Sequence, residues 1–322
     1  MNDSKPQSIL ISLIKSARPL QWMKNSALFA PLIFSGFLFY DPVDGPSYLV
    51  TVFLAFLVFS ILTSSIYLIN DIADKNSDSA HPYKKNRPIA SGNLPVPIAM
   101  FAALTGILLV LFLSFSFPLF FRLLIVAYII LQLAYTFKLK NIPILDVLVI
   151  AAGFLIRIYA GAVVVDLHMS VWFLLTVISA SLFLAVGKRQ SERTLLENRL
   201  SSSSRKTLGH YSQRLLDVYT SVFANSTWLT YALFTFQSQP IKLQSTYERF
   251  PQLFMLLPRT LQSEKLLMLT LPLVIFGVMR YLALVYEENK GESPEKVLIN
   301  DKTLLTTVTV FIISTIVIIY LD

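Results

Sequence analysis

Cysteine is absent from the 322 residues, which excludes disulfides, thiolate metal sites and cysteine nucleophiles and leaves the redox compartment open. Histidine is scarce: His81, His168 and His210 stand apart with no metal-binding spacing, and each has the ordinary reading of a solvated or capping imidazole. Neither a Ser/His/Asp arrangement nor a Gly-rich phosphate loop is present. Charge is low as well. Only 14% of residues are charged against 55% hydrophobic, with a mean hydropathy of +0.63, too apolar for a soluble surface, so a bilayer is the solvent. Met1 to Lys15 carry no secretory cleavage pattern, so insertion is expected to rely on the first membrane helix. The one biased stretch, Ser201 to Ser204, lies in a basic loop and reads as a surface segment.

What is abundant is apolar runs near the roughly 20 residues that cross a hydrocarbon core. Nine are read, approximately Ser26 to Tyr40, Tyr48 to Ile69, Val96 to Phe117, Pro118 to Phe137, Pro143 to Val165, Val171 to Val186, Val218 to Phe236, Leu266 to Tyr286 and Leu304 to Leu321. The expected fold class is all-α integral membrane: one domain over residues 1–322 with nine transmembrane helices. The first run contains Pro31 and extends back toward Trp22, a residue suited to the interface. The third and fourth meet at Phe117-Pro118, which predicts a tight hairpin.

The net charge of +8 follows membrane topology rather than nucleic-acid binding, because 20 of the 27 Lys and Arg fall on one side of the nine-span arrangement. That side, with the N-terminus, is expected to be cytoplasmic in a cell (inner) membrane. It receives the polar loops at about 71–93, 138–146, 187–216 and 288–302. The opposite side, including 237–265, offers no constellation. Arg280, near the cytoplasmic end of the eighth run, is expected to snorkel.

The sharpest feature is the run from Asn70 to Asp78, where Asp71, Asp74 and Asp78 are spaced three and four apart at the end of an apolar helix. Such spacing aligns carboxylates on one helical face, with Tyr67, Asn70 and Asp74 as an adjacent stripe. Crowded acids at a membrane surface need cations, and hard oxygen donors beside a diphosphate suit Mg²⁺. A solvated helix end paired with Lys75, Lys84 or Lys85 is the ordinary alternative. The next segment, His81 to Gly92, places Lys84, Lys85 and Arg87 between prolines, which suits phosphate oxygens. Lys138, Lys140 and Asp146 repeat the theme. Arg157 shares a helix face with Asp146 about 16 Å deeper, where a cation costs about 2.5–3.5 kcal/mol unless a polar or anionic partner receives it. Gly187 to Arg193 and Gly291 to Leu298 are basic enough to be explained by topology alone; Arg18 to Asn25 is a dense interfacial cluster containing Lys24.

The Asn-Asp-x-x-Asp-x-x-x-Asp motif at Asn70 to Asp78, in a chain of many apolar helices, resembles the UbiA superfamily of membrane prenyltransferases over essentially the whole length. That superfamily carries a second pair of aspartates four apart, whereas here Asp146 is followed by Ile150 and flanked by Lys138, Lys140 and Arg157. With the Arg18 to Asn25, His81 to Gly92, Gly187 to Arg189 and Gly291 to Leu298 segments, this departure resembles the decaprenyl-phosphate phosphoribosyltransferase branch. The resemblance implies transfer of 5-phosphoribose from phosphoribosyl diphosphate to a polyprenyl phosphate, toward a lipid-linked cell-wall precursor. It implies Mg²⁺ held by Asn70, Asp71, Asp74 and Asp78, the three aspartates being the catalytic set. Tyr67 and Lys84 would steady phosphoribosyl diphosphate. Lys24, Lys140 and Arg157 would gather phosphate charge, with Lys85, Arg87, Lys138, Asp146 and Lys188 as further substrate contacts. A homo-oligomer is admitted by the same resemblance. The competing expectations are prenyl transfer to an aromatic acceptor and secondary transport, although acids gathered at one surface argue against a mid-membrane transport site.

Overall fold

The computed structural model describes residues 8–80, 84–197, 209–238, 265–288 and 294–320. Among the described residues every regular element is helical: α1 (Ile9–Ala17), a 3₁₀ segment (Pro19–Phe29), α2 (Ala30–Ser35), α3 (Tyr48–Ala73), α4 (Lys75–Ser79), α5 (Val96–Leu113), α6 (Leu119–Phe137), α7 (Leu145–Val163), α8 (Val171–Glu197), α9 (Gln213–Gln237), α10 (Leu271–Tyr286), α11 (Pro294–Asn300) and α12 (Lys302–Tyr320). Among the described residues, seven stretches are long and apolar enough to cross a membrane: Tyr48–Ala73, Val96–Ser116, Leu119–Phe137, Leu145–Val163, Val171–Thr194, Leu266–Tyr286 and Lys302–Tyr320.

Nine spans were expected from hydropathy, and two of them do not qualify. The run from Ser26 to Tyr40 is not one helix, because the 3₁₀ segment gives way to a six-residue α2 that ends before Gly36 at φ 82°. The polar residues just before it, Gln21, Trp22 and Asn25, dock onto α3. The run from Val218 to Phe236 does form a helix, α9, but it is interrupted by Thr220, Ser221, Asn225, Ser226, Thr227, Thr230 and Thr235. Several of these hydroxyls donate back to carbonyls one turn earlier, as Ser226 Oγ does to the Val222 carbonyl at 2.8 Å. The hairpin at Phe117-Pro118 forms as expected: residues Ser114–Ser116 make a 3₁₀ turn, and the Phe117 amide donates to the Ser114 carbonyl at 3.1 Å.

Contacts divide the chain into two compact units. The first contains residues 1–32, 39–167 and 196–212, with α3 at its centre. Helix α3 starts where Ser47 Oγ caps the Val50 amide at 3.4 Å and buries Val52, Ala55, Phe59 and Leu62 completely. Its most extensive neighbour is α5, which presents Ala99, Ala103 and Gly106 at steps of four and three. A Cβ on Gly106 would lie 2.2 Å from Ser65 Oγ, so small residues permit the close approach. Phe59 meets Phe121 and Tyr128 of α6 edge-on, at 5.9 and 5.6 Å between ring centroids.

The 3₁₀ segment is wedged between α3 and α7. Gly161 of α7 makes this possible, because a Cβ there would stand 1.9 Å from the Leu28 carbonyl oxygen. Since that obstacle is backbone, Gly161→Ala is expected to expel the segment and cost roughly 1–3 kcal/mol or more. Thermal unfolding in detergent is the check: a midpoint equal to that of the parent protein would show that the segment tolerates displacement.

The second unit contains residues 33–38, 168–195 and 213–322. Its core joins Phe183, Ala224, Tyr281, Leu284, Val285, Val297 and Leu304. The Gly187 to Arg193 stretch, expected as a loop, continues α8, and Gly187 leaves room for the Tyr281 ring, which a Cβ would approach to 3.0 Å. Arg280 donates to Asp301 Oδ2 at 2.5 Å and to Glu288 Oε1 at 3.2 Å.

Candidate active site

One face of α3 is read by the N-terminal 3₁₀ segment residue by residue. Asn25 Nδ2 donates to Ser60 Oγ at 3.2 Å and Thr63 Oγ1 at 3.1 Å; Trp22 Nε1 donates to Ser64 Oγ at 2.9 Å. Tyr67 Oη meets Gln21 Oε1 at 3.5 Å, and the Arg18 guanidinium lies 5.1 Å above the Tyr67 ring and pairs with Asp71. The two elements run antiparallel, so descending positions on one meet ascending positions on the other. Arg18, Gln21, Trp22 and Asn25 are thereby accounted for, and Lys24 lies half-buried on the same segment.

The acids lie at the end of that face. Asp71 is 2% exposed and Asp78 3%, and Arg87 Nη1 spans both, at 3.2 Å from Asp71 Oδ1 and 2.6 Å from Asp78 Oδ2. Asp74 closes α3 and is paired with Lys140 from the turn after α6. Backbone bonds from Asp74 N to Asn70 O (2.9 Å) and Asp78 N to Asp74 O (2.8 Å) carry the helical path across the junction with α4. The expected alignment therefore holds for Asp71 and Asp78, two turns apart, whereas Asp74 turns to a different cation. Asn70 Oδ1 accepts from Thr136 Oγ1 at 3.4 Å.

Arg87 is held by a compact return. Its amide donates to the Lys84 carbonyl at 2.9 Å, Ser91 N donates to the Arg87 carbonyl at 2.8 Å, and Leu94 N to the Pro88 carbonyl at 2.9 Å. Gly92, at φ 82°, supplies the left-handed turn, and Ile89 and Leu94 are buried beside Leu68, Ala99 and Ala103. Lys84 is half-buried; Lys85 and Lys138 are exposed. His81 lies outside the described residues.

Arg157, 5% exposed, is held by neutral groups: Nε donates to Asn25 Oδ1 at 2.8 Å, Nη1 to the Gly153 carbonyl at 2.8 Å and Nη2 to Tyr128 Oη at 2.6 Å. The rings of Tyr128 and Phe154 stand 5.0 and 5.5 Å from its guanidinium carbon. Through Asn25 it ties α7 to the 3₁₀ segment and to α3. Asp146, fully buried, accepts from Tyr211 Oη at 2.6 Å. Lys188 is half-buried on α8 in the second unit.

Thus Arg87 joins Asp71 to Asp78, Lys140 takes Asp74, Tyr67 meets Gln21 and Arg18, and Asn70 meets Thr136. Arg18, Gln21 and Thr136 join them without having been singled out; the density of Arg18 to Asn25 was the available signal for the first two. Three carboxylates, Asp71, Asp74 and Asp78, meet three cations, Arg18, Arg87 and Lys140. Among the described residues, no three of His, Asp and Glu converge as a metal cage. A magnesium ion held by one or two carboxylates plus substrate phosphates needs no such cage.

The model of the UbiA prenyltransferase family matches residues 28–300, and the chain belongs to that family of multi-pass membrane proteins. Decaprenyl-phosphate phosphoribosyltransferase of Mycolicibacterium smegmatis is 42% identical over 235 residues, covering 72% of this chain and 72% of the relative. The enzyme of the same description from Corynebacterium glutamicum is 33% identical over 301 residues, 93% of this chain and 84% of the relative. The fold is that of a UbiA homolog from Archaeoglobus fulgidus solved with GPP and Mg²⁺, at a TM-score of 0.67 and 16% identity, covering 96% of this chain and 99% of that one.

Proposed function

We propose that this protein transfers 5-phosphoribose from 5-phospho-α-D-ribose 1-diphosphate to a polyprenyl phosphate, releasing diphosphate. The observation that carries this is 33–42% identity to decaprenyl-phosphate phosphoribosyltransferases over most of the chain, together with an acidic helix end enclosed by cations. The lipid phosphate oxygen attacks the anomeric carbon as the bond to diphosphate breaks, and the electron pair leaves with diphosphate. A phosphate monoester is already anionic near neutral pH, so no strong base is needed; alignment and charge neutralisation carry the rate.

Magnesium, when bound at Asn70, Asp71, Asp74 or Asp78, supplies charge neutralisation for the leaving diphosphate. Tyr67 and Lys84 steady the donor. Lys140 exchanges its Asp74 partner for phosphate oxygens, and Arg87 keeps Asp71 and Asp78 apart from one another's repulsion. Lys24, Lys85 and Lys138 contribute to the cationic field that the two phosphorylated reactants require. Arg157 holds the N-terminal segment and adds a positive charge with neutral partners beneath it. The reaction side is cytoplasmic, facing the more cationic loops.

A single displacement inverts the anomeric centre, so an α-configured donor is expected to give a β-linked product. Proton NMR of the anomeric position in the isolated lipid, with one diphosphate released per lipid formed, tests this. An α-linked product would require a double displacement and contradict the direct attack.

A further inference from the structure

The entry to α7 carries an unusual device. Ile144, a β-branched residue, sits at φ 71° and ψ −48°, in the half of backbone space that side chains avoid. Such a conformation persists only where its surroundings enforce it. Here the enforcing group is Tyr211, which is 65 residues further along the chain relative to Asp146 and 1% exposed. Its hydroxyl oxygen accepts the Ile144 amide at 2.6 Å and its proton is donated to Asp146 Oδ1 at 2.6 Å. One hydroxyl thus serves a backbone donor and one oxygen of a fully buried carboxylate together, each of which would be costly to leave unmade.

The restrained turn is the one that supplies Lys138 and Lys140. Asn141 N donates to the Lys138 carbonyl and Ile142 N to the Leu139 carbonyl, both at 3.1 Å, and Asp146 N donates to the Ile142 carbonyl at 3.1 Å. The chain from Lys138 to Asp146 is therefore a short series of hydrogen-bonded turns, with Lys140 on Asp74 at one end and Tyr211 on Asp146 at the other.

We infer that Tyr211 is a positioning residue for the transfer reaction: with Asp146 as its acceptor, it fixes the turn that presents Lys140 to the acidic helix end. Asp146 serves inside this lock and not as a ligand of substrate or metal. The role of Lys140 in this inference rests on the proposed transferase function; the lock itself does not.

The test uses the full chain in lipid nanodiscs and two kinds of readout. Tyr211→Phe, which keeps the ring and removes the hydroxyl, is expected to raise KM for phosphoribosyl diphosphate about tenfold while kcat stays within about twofold. Asp146→Asn keeps an acceptor oxygen for Tyr211 and is expected to retain activity within about threefold. Independently of catalysis, the cysteine-free chain accepts a single spin label at Asn141→Cys, on the exposed side of the turn. Its spectrum is expected to become more mobile with Tyr211→Phe and to stay unchanged with Asp146→Asn.

An immobile label with unchanged KM in Tyr211→Phe overturns the inference. So does loss of activity in Asp146→Asn as severe as in Asp74→Asn with an unchanged label, since the carboxylate would then touch the reactants. If the parent protein makes no phosphoribosylated lipid, the transferase proposal falls, and the label spectra still decide whether Tyr211 restrains the turn.

Discussion

Replacing Asp74 by asparagine is expected to lower Mg²⁺-dependent transfer at least about 100-fold while leaving the unfolding midpoint nearly unchanged. The side chain keeps its volume and loses one negative charge. In the structure that charge faces Lys140, and the pair is partly exposed, 14% for Lys140 and 23% for Asp74. Pairs open to solvent contribute about 0–1 kcal/mol, so stability barely changes. Charge stabilisation in the transition state is worth far more: loss of one well-placed electrostatic partner commonly costs about 10²–10³ in kcat. Asp71→Asn is a poorer probe, because Asp71 is nearly inaccessible and receives both Arg18 and Arg87, so folding and function would fall together. Side-by-side assay of Asp74→Asn at graded Mg²⁺, with circular dichroism, separates the two effects; near-normal turnover would remove Asp74 from the metal and diphosphate site.

Arg157→Ala is expected to be the second most damaging change, through folding first and activity second. Truncation leaves Asn25 Oδ1 and Tyr128 Oη without their donor, at about 1–3 kcal/mol each, while the Gly153 carbonyl stays within the α7 helix. Against this, a guanidinium deep in a bilayer costs about 2.5–3.5 kcal/mol, which its removal recovers. Two orphaned groups plus the cavity outweigh that recovery, so net destabilisation of a few kcal/mol is expected. Lysine should not rescue, because a single ammonium cannot reach three acceptors in a planar fork. Since Asn25 also holds Ser60 and Thr63, loss of the guanidinium loosens the segment carrying Arg18 and Gln21, and transfer should fall about tenfold or more. The detergent-unfolding midpoint and initial rates of Arg157→Ala and Arg157→Lys test this; parent-like values for both would show that the network is dispensable.

The helical class, most helix positions and the shared face of Asp71 and Asp78 were legible because they rest on local periodicity. A spacing of three and four residues fixes a helix face, and a break of lysines and prolines fixes a return. The first expected span failed for a reason hydropathy does not register: Asn25, Trp22 and Gln21 find partners on α3, so the segment packs as a 3₁₀ wedge beside Gly161. Who pairs with whom across the chain was also out of reach. Nothing local links Tyr211 to Asp146, Lys140 to Asp74, or Arg157 to Tyr128 and Asn25. Depth alone asks only that Arg157 meet a polar or anionic partner; which groups those are, an amide, a carbonyl and a phenol, comes from three separate stretches of chain.

The most direct test of the central claim is whether purified protein moves label from phosphoribosyl diphosphate into lipid. With donor labelled in the ribose, polyprenyl phosphates of several lengths and Mg²⁺, label should enter the organic phase with equimolar diphosphate release, and chelation of the metal should stop both. Label that stays in water under every condition, while the same preparation prenylates an aromatic acceptor from a prenyl diphosphate, would contradict it.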